Sequence, residues 1–549
     1  MKRLFWGSFL SSALTLVILF PAQASVSDGI LATVPQFTNV AQYIGLAPPA
    51  QPVRLVVFLA YPNKSAVDAF AQSVNDPSSP SYGAFLTPTQ FSANFAPSPN
   101  TYSMVEYVLS GAGFSVYKTY LNRKVIEVIG SVAQAEAFFG TLIAQYQYNG
   151  VTYYANSGPA LVPTALKGVL MTVSGLNNFV QRVGGPLTSI SPIGLGPLDI
   201  QTAYNEPVHV NKSISGAGTT IAVETAYDFL DRDLQSYWAA FGVHRLGSVA
   251  RIFVKDPVNQ GLPTPAQNQE TTFDAEQTSA NAPGANLLVI EGADALNATF
   301  DDVYETAVTD PRVAVVSTSW GSCEAGDDPN EELADSDLFE EGAAQGQTMF
   351  AAAGDNGSKD CGANSPPFGL PGYPNPTSVD FPANSPWVAG AGGTTLLLNN
   401  NRTIKKETAW FGSGGGYSAL FVIPYYQTGV PHLASSTHRN VPDVALDADP
   451  NTPYALYYLG SFALPVGGTS AAAPNMAALY AQFEGNYGHR LGLAQTGLYS
   501  GFTRHTYPGT SWHDILAGNN GNFSAHLGYD NVTGTGSLNA YRYMQAMPH

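Results

Sequence analysis

One serine of this sequence stands where a nucleophile would be exposed and close to oxyanion donors. In the run GGTSAAAPNMAALYA (467–481), Ser470 follows a glycine-rich turn and precedes an apolar stretch that favours a helix. Glycine lets the backbone approach a substrate closely, and a helix N-terminus presents free N–H groups and a positive dipole end. Such groups would stabilise an oxyanion formed beside Ser470. The alternative is that Thr469 or Ser470 simply caps the helix, as these residue types often do.

A serine nucleophile needs a base, and no histidine of this chain has a suitable setting. The string G-T-S-A-x-A-P resembles the nucleophile segment of the subtilisin-like clan, whose members carry their histidine in an H-G-T-H segment. No such segment occurs here, which argues against a conventional Ser-His-Asp enzyme. The nine histidines are at positions 209, 244, 432, 438, 489, 505, 513, 526 and 549.

A pair of carboxylates offers another base. In NQETTFDAEQTSANAPGANLLVIEG (268–292), Glu270 and Asp274 are spaced i, i+4, so on a helix they share one face. Two carboxylates this close resist joint ionisation, so one pKa rises and a shared proton is expected. The pair could then take the serine proton in acid. The commoner meaning of an isolated E-x-x-x-D is two solvated acids on an exposed helix face.

A third acid follows a run of small residues. In AAAGDNG (351–357), Asp355 lies in a Gly-x-x-Gly turn, where an aspartate usually accepts hydrogen bonds from local backbone N–H groups. When protonated, Asp355 could instead donate a hydrogen bond to a developing oxyanion. An ionised Asp355 would repel that charge, so its role and that of the carboxylate pair are both expected to fail as the pH rises.

Two kinds of element pattern surround these residues. From about residue 30 to 180 the pattern predicts a small α+β domain, with a strand at 53–61, a helix at 64–76 and a strand running into a helix at 124–140. Further along, strands alternate with helices, which predicts βαβ units and a parallel sheet with its active site at the strand C-termini. We predict strands at 219–224, 285–292, 313–321 and 348–355, and helices at 227–241, 271–281, 299–309 and 331–345.

The composition limits the partners of the chain. The formal net charge is −18 over 549 residues, which argues against a nucleic acid partner. Only 12% of the residues are charged, roughly half of the usual ~25%. With few Lys and Arg, self-repulsion stays low when carboxylates protonate, so this composition suits an acidic medium.

The first residues resemble an export signal. Lys2 and Arg3 precede an apolar stretch, 9–20, and Ala22-Gln23-Ala24 supplies small residues for cleavage. This stretch is short for a membrane span, and no other segment approaches ~20 uninterrupted apolar residues. We therefore expect a secreted, extracellular protein with no membrane partner.

Three motifs in a fixed order resemble one family. Glu-x-x-x-Asp, then Gly-Asp-x-Gly, then Gly-Thr-Ser-x-x-x-Pro is similar to the order in the sedolisins, also called serine-carboxyl peptidases. SYGAFLTPTQFSANFAPS (81–98) resembles the signature of their activation domain, and LDIQTAYN (198–205) the start of the mature enzyme. STSWG (317–321), FGSGGGYSALF (411–421) and RNVPDVALDADP (439–450) also match in order, so the likeness covers nearly the whole chain.

The resemblance implies a fold and a domain order. We expect an α/β peptidase domain with a subtilisin-like, doubly wound, mostly parallel sheet, preceded by a smaller α+β prodomain. The expected order is a signal peptide (1–24), an activation prodomain (25–180), a processing linker (181–198) and a peptidase domain (199–549). The linker is rich in Gly, Pro and Ser, which favours an exposed connector that a protease can cut.

The resemblance also implies residue roles. Ser470 matches the nucleophile, Glu270 the general base, Asp274 the carboxylate that shares its proton, and Asp355 the oxyanion-hole acid. Glu224 and Trp320 match positions that extend the carboxyl network in some members, although each could be an ordinary structural residue. The segment 413–417 matches a loop that lines the substrate cleft.

The C-terminal run WHDILAGNNGNFSAHLGYDNVTGTG (512–536) resembles the calcium site of the family. Asp514 and Asp530 would supply carboxylates, and Ile515, His526 and Gly528 would supply carbonyl oxygens, a donor set that suits Ca²⁺. A glycine is usual where His526 stands, so the backbone there must suit another residue. Without the resemblance, an Asx-rich surface turn would be the default interpretation.

The function that follows from the resemblance is acid proteolysis. We expect a secreted serine-carboxyl endopeptidase that acts on protein and peptide substrates and is inhibited by its own prodomain until acid protonates interface carboxyls and the enzyme cuts its linker. We expect a monomer. Cys323 and Cys361 are each expected beside the cleft, joined in one disulfide. The alternatives are a tripeptidyl-peptidase of the same family and a non-catalytic secreted binding protein on this fold.

Overall fold

The structure is a computed structural model that describes residues 29–185, 187–188, 194–258, 268–361, 366–463, 465–504 and 511–547. The expected signal peptide, and parts of the expected linker, lie outside the described residues. No helix within these ranges has the length and apolar character needed to cross a membrane.

The N-terminal part, up to about residue 180, is a small α+β unit. A four-stranded antiparallel sheet in the order β4-β5-β3-β9 packs beside a three-stranded sheet in the order β2-β6-β7. Its elements are β1 (Ile30–Ala32), β2 (Gln42–Leu46), β3 (Pro52–Leu59), α1 (Lys64–Asn75), α2 (Pro88–Phe95), α3 (Pro99–Gly111), β4 (Ser115–Thr119), β5 (Val125–Ser131), α4 (Val132–Phe139), β6 (Ile143–Tyr148), β7 (Val151–Asn156), β8 (Ala160–Leu161) and β9 (Leu170–Ser174).

Local sequence explains where these helices begin and end. Ser131 caps α4 in a capping box with Gln134, and Gly140 ends it in the left-handed conformation. Ser98 caps α3, with Pro99 at the first helical position. The strand predicted at 53–61, the helix predicted at 64–76 and the strand and helix predicted at 124–140 are all confirmed.

The rest of the chain forms one large α/β unit. Its main sheet has the order β12-β13-β11-β14-β16-β18-β19, with β22 also paired to β18, and only β19 runs antiparallel to its neighbour. Its elements are β10 (Leu187–Thr188), α5 (Pro197–Ala203), α6 (Pro207–Val210), β11 (Thr220–Ala226), α7 (Asp231–Phe241), β12 (Val249–Val254), α8 (Gln269–Asn281), β13 (Asn286–Gly292), α9 (Asn297–Thr309), β14 (Val315–Thr318), β15 (Ser322–Cys323), α10 (Pro329–Ala344), β16 (Thr348–Ala352), β17 (Asp380–Phe381), β18 (Ala389–Leu398), β19 (Ile404–Ala409), β20 (Gly416–Val422), β21 (His438–Val441), β22 (Val444–Asp447), β23 (Tyr457–Tyr458), β24 (Ser461–Phe462), β25 (Val466–Gly467), α11 (Thr469–Tyr487), α12 (Ala494–Arg504), β26 (Trp512–His513), β27 (Ser537–Leu538) and α13 (Ala540–Ala546).

Helices cover both faces of this sheet, which confirms the expected doubly wound, mostly parallel α/β class. On one face α11 is buried against Ile221, Val315 and Phe350 of three parallel strands. On the other face α9 and α10 cover the sheet. Strands β11, β13, β14 and β16, and helices α7 to α10, fall where the alternating pattern predicts them.

The two parts share a hydrophobic core. Val56, Phe58 and Val125 of the N-terminal sheet pack in one cluster with Phe300 of α9 and Phe339 of α10. The small domain therefore covers the α9–α10 face of the large one.

Candidate active site

Ser470 lies in the first turn of α11. The N-cap of this helix is Gly468, whose φ of 114° is a left-handed conformation, and no side chain caps the helix. Neither Thr469 nor Ser470 therefore serves as the cap. Ser470 is almost buried, at 4% exposed, and lines a cleft cavity of about 190 Å³.

The two carboxylates of α8 lie close to this serine. Glu270 and Asp274 are both fully buried. Ser319, directly after β14, connects α8 with the start of α11, because its hydroxyl donates to Asp274 Oδ1 at 2.8 Å and lies 3.3 Å from the carbonyl oxygen of Ser470. The i, i+4 pair is thus a buried pair and not a solvated helix face.

Burial controls the protonation of this pair. It raises the pKa of Glu270 to about 8, although the nearby Ser470 hydroxyl, Asp274 carboxyl and Gly185 N–H favour the ionised form. These three approaches fall short of full hydrogen-bond geometry, since both Glu270 oxygens lack a partner among the described residues. Burial also raises the pKa of Asp274 well above its usual value, and the Glu270 charge adds to this effect.

Asp355 follows β16 and reaches the start of α11. Its Oδ1 accepts hydrogen bonds from the Thr469 N–H at 2.7 Å and the Thr469 hydroxyl at 2.9 Å. Burial raises the pKa of Asp355 despite these two bonds. Gly468 permits the approach, because a Cβ on that residue would lie 2.6 Å from Asp355 Oδ2.

Two further acids surround the same cavity, and sequence reasoning missed both. Asp360 and Asp380 line it together with Asp355 and Ser470. Burial, with the nearby Asp355 charge, raises the pKa of Asp360 to about 7, and burial raises that of Asp380 well above its usual value. Neither acid lies in a motif that would have marked it: Asp360 lies in the loop after β16, and Asp380 begins the two-residue strand β17.

Parts of the segment that joins the two domains line this cavity. Val183 and Gly321 exchange backbone hydrogen bonds of 2.7 and 3.1 Å, and Gly184 lies against the indole of Trp320. Leu187 pairs with Gly467 in an antiparallel register. Val183, Gly184, Gly185 and Leu187 thus line the same cavity as Ser470.

The chain is similar to known proteins along most of its length. The family model described as "Pro-kumamolisin, activation domain" matches residues 39–179, and the one described as "Subtilase family" matches residues 265–525. Sedolisin of Pseudomonas sp. (strain 101) is 30% identical over 519 residues, which cover 88% of this chain and 85% of that protein. This chain belongs to the sedolisin family.

Two other comparisons agree with the assignment. Kumamolisin of Bacillus sp. (strain MN-32) is 30% identical over 83% of this chain and 85% of that protein. A solved structure of Pseudomonas sedolisin, described as a serine-carboxyl proteinase complexed with two molecules of pseudo-iodotyrostatin, superimposes with a TM-score of 0.55 at 27% identity, covering 66% of this chain and 98% of that one. The chain is thus a serine-type peptidase of the sedolisin family that carries its own activation domain.

Glu224 and Trp320, which are predicted to extend the carboxyl network, lie beside α8. The indole N–H of Trp320 donates to Thr225 Oγ1 at 2.9 Å, and the hydroxyls of Thr225 and Thr271 of α8 share a hydrogen bond. Glu224 is buried in β11, and burial raises its pKa to about 8. Trp320 thus connects to α8 through two threonines.

Two predicted features border the cleft of this sedolisin-family chain. Cys323 and Cys361 form the predicted disulfide, with their Cα atoms 5.0 Å apart. The segment 413–417 packs beside Asp355, because the N–H of Gly414 donates to the carbonyl of Gly354 at 2.8 Å. Both features hold the turn that carries Asp355.

The C-terminal loop places the two carboxylates of the expected calcium site close to one segment. Asp514 Oδ2 accepts from the N–H of Gly528 at 3.0 Å, and Asp530 Oδ2 accepts from that of His526 at 3.3 Å. Both carboxylates thus meet at the same short segment. His526 is not among the described residues with positive φ, so its backbone does not require glycine. The donors are all oxygens, which fits a hard cation such as Ca²⁺.

Proposed function

We propose that this protein is a secreted, acid-active serine-carboxyl endopeptidase made as a self-processing zymogen. One observation supports this most strongly. A serine at a helix N-terminus, a buried carboxylate pair and a third acid lie close together, and residues 183–185 of the chain's own linker line the same cavity as the serine.

The proposed chemistry assigns one task to each residue. Glu270 takes the proton of Ser470, whose oxygen attacks the scissile carbonyl, while Asp274 shares its proton with Glu270. Protonated Asp355 donates a hydrogen bond to the oxyanion. Glu270 then protonates the leaving amine, and water hydrolyses the acyl-enzyme with Glu270 again as the base.

The pKa shifts support activity in acid and slow self-processing. Because the pKa of Asp355 is raised, its donor proton is present below that pKa and is lost as the pH rises through it. In the zymogen burial raises the pKa of Glu270 to about 8, so only a small fraction of Glu270 is ionised in acid and cleavage of the linker is slow. Removal of the linker admits water to Glu270, which weakens the effect of burial and makes the processed enzyme faster.

The path of the linker favours cleavage within chains. Upstream of Val183 the linker continues along the cleft, where Gln181 pairs with Leu296 and the N–H of Arg182 donates to the carbonyl of Ala295 at 2.8 Å. A cleft that binds a chain more than three residues before the cleaved bond does not require the substrate to begin three residues before that bond. Endopeptidase activity is therefore proposed in preference to tripeptidyl-peptidase activity.

Two supporting parts of the proposal concern calcium and export. Asp514, Asp530 and the carbonyls of Ile515, His526 and Gly528 would hold one Ca²⁺, which would stabilise the C-terminal loop and take no part in the reaction. The basic and apolar N-terminal residues would direct export.

The test is proteolysis of a denatured protein from pH 2 to 8 by acid-activated wild type, Ser470→Ala and Glu270→Ala. We expect an optimum below about pH 5 and loss of at least about 10³ in kcat in both variants. A neutral optimum, or an active Glu270→Ala enzyme, would mean that the base is another residue. Parallel assays on peptides with free and with blocked N-termini separate endopeptidase from tripeptidyl-peptidase activity.

A further inference from the structure

Arg182 of the linker is buried inside the peptidase domain. Its guanidinium is wholly covered, and its Nη1 atom donates to Ser322 Oγ and to Asp327 Oδ2. Its Nη2 atom lies 3.2 Å from Asp335 Oδ2. The guanidinium also lies over the ring of Phe381, 4.8 Å from its centroid. These four residues, which form the Arg182 pocket, belong to the peptidase domain and remain after the activation domain has left.

The backbone on both sides of Arg182 adopts the pairing of a bound chain. Val183 is paired with Gly321, and the Gly185 N–H faces Glu270. Past the nucleophile, Leu187 is paired with Gly467. Gly185, whose N–H faces Glu270, lines the same cavity as Ser470, so we take the carbonyl of Gly185 as the point of attack, and Arg182 is then the fourth residue on its amino side.

The pocket holds buried carboxyl oxygens that Arg182 leaves without a hydrogen-bond donor. Asp335 Oδ1 is buried without a hydrogen-bond partner, and so are both oxygens of the neighbouring Asp301. A buried carboxyl oxygen without a hydrogen bond costs free energy. After processing, a charged donor such as a guanidinium would satisfy these oxygens best. The pocket is also reachable, since a cavity of about 480 Å³ between the two domains borders both Arg182 and Asp327.

We propose that the Arg182 pocket is a specificity subsite of the processed enzyme for an arginine four residues before the cleaved bond. This inference rests on the proposed peptidase function and adds a substrate class to it. Before processing, Arg182 occupies the subsite, and after processing the arginine of a substrate replaces it.

The geometry selects a guanidinium over an ammonium. Two carboxylates on different elements, the loop before α10 and α10 itself, receive different nitrogens of one planar group. The same plane stacks on Phe381. A lysine ammonium is a point charge that can reach one of these carboxylates but offers no plane to the ring.

The test uses processed wild-type enzyme and quenched peptides with a single cleavage site mapped by mass spectrometry. The peptides differ only four residues before that site, with arginine, lysine or citrulline, the neutral isostere of arginine. We expect kcat/KM for arginine to exceed that for citrulline at least about tenfold, with lysine between them. In Asp327→Asn with Asp335→Asn the ratio falls to about two or less, while Asp231→Asn, a change of an exposed acid, keeps it.

Two outcomes would overturn the subsite, and a third would overturn the proposed function. A wild-type ratio near one, with normal cleavage of the citrulline peptide, overturns the subsite and leaves the peptidase function in place. A tenfold ratio that persists in the double variant also overturns it. If wild type cleaves none of the peptides, the proposed function itself fails, and the subsite with it. Because the ratio is taken within one enzyme sample, partial misfolding of a variant does not change it, and the wild-type ratio alone is decisive.

Discussion

At the scale of single residues, burial sets the protonation of the catalytic cleft. It is the first cause of the raised pKa of Glu270, Asp274 and Asp355, ahead of any neighbouring charge. Burial disfavours the ionised form of a carboxyl whatever its sequence neighbours are. The carboxyl groups of this cleft are therefore kept protonated mainly by being buried and only secondarily by neighbouring charges.

The first prediction concerns Asp355. Asn at this position keeps a neutral acceptor for Thr469 and a neutral donor for the oxyanion at every pH. We expect Asp355→Asn to keep measurable activity in acid and to move the alkaline limb of kcat/KM to higher pH, because the variant has no proton to lose. Asp355→Ala, which has no donor, should lose about 10²–10³ in kcat. An alkaline limb that stays in place in Asp355→Asn would show that another group sets it.

Residue types and spacing led to some members of the site and not to others. Glu270, Asp274, Asp355 and Ser470 each lie in a short string with a stated chemistry, and the structure places all four around one cleft. Asp360 and Asp380 lie in no such string, and the loop after β16 and the short strand β17 bring them to the cavity. Contacts of that kind depend on loop conformation, which periodicity does not encode.

At the scale of elements, the start of α11 determines how close Asp355 comes to the nucleophile. Gly468 combines a left-handed φ of 114° with a position where a Cβ would lie 2.6 Å from Asp355 Oδ2. The opposite end of the same helix has Gly488, with φ of 78° and open space around its Cα. Both glycines have a positive φ, but their ψ values differ, at 158° for Gly468 and 19° for Gly488, and only Gly468 lies against a neighbouring side chain.

The second prediction compares these two glycines. Gly468→Ala should lower kcat at least about 100-fold, because the new methyl group displaces Asp355 from the oxyanion position. Gly488→Ala should cost about 1 kcal/mol of stability and leave kcat per folded molecule unchanged. Active-site titration corrects both values for the folded fraction. Equal effects of the two changes on kcat would contradict the special role of Gly468.

The third prediction concerns Glu206, the residue before α6. Its Oε2 accepts from Gln482 Nε2 at 2.8 Å, and burial raises its pKa to about 8. Because the folded pKa lies above the unfolded value of 4.5, the wild type loses stability as the pH rises from 4.5 to 8. Glu206→Gln removes the titration and keeps the hydrogen bond.

Melting of Glu206→Gln and its parent, both in a Ser470→Ala background, measures this effect. The two proteins should melt together near pH 4.5, and the variant should be more stable by roughly 1–3 kcal/mol at pH 8. A constant difference across the pH range would mean that Glu206 does not titrate in the folded protein.

At the scale of the whole molecule, the order of elements was easier to predict than the surface between the domains. The alternation of strands and helices determines the parallel sheet, since each helix must cover the strands it connects. Strands β12, β18, β19 and β22 were not predicted, because no clear alternation marks them. The domain interface brings together residues more than 200 positions apart in sequence, such as Arg54 and Asp302, and no local sequence pattern predicts such a contact.

This interface carries a buried charge cluster that fixes its pH dependence. Arg54 contacts Glu127 at 2.7 Å within its own domain and Asp302 at 3.1 Å across the interface. Lys118 also reaches Asp302, at 2.5 Å. These cations lower the pKa of Asp302 even though burial opposes them, whereas burial, with the Asp302 charge, raises the pKa of Glu127 to about 7. Acid therefore neutralises Glu127 first, and the pairs that cross the interface persist.

The last prediction follows from that order. A carboxyl whose pKa is lowered contributes stability above its usual value of 3.8 and loses it as the pH falls through the lowered value. In Ser470→Ala protein whose linker has been cut in trans by active enzyme, the two domains should stay together at pH 6 and pH 5. They should separate only below about pH 3.8, which size-exclusion chromatography at a series of pH values would show.

Arg54→Met supplies the matched variant, because it leaves Glu127 and Asp302 without their shared cation. Removing one partner of a buried pair costs about 3–5 kcal/mol, so this variant should separate already at pH 6. Lys167→Met serves as the control, since Lys167 is an exposed lysine of the same domain and forms no salt bridge to the described residues. If wild type separates at pH 5, protonation of carboxyls other than Asp302 opens the zymogen. If Arg54→Met stays associated at pH 6, apolar packing alone holds the domains together.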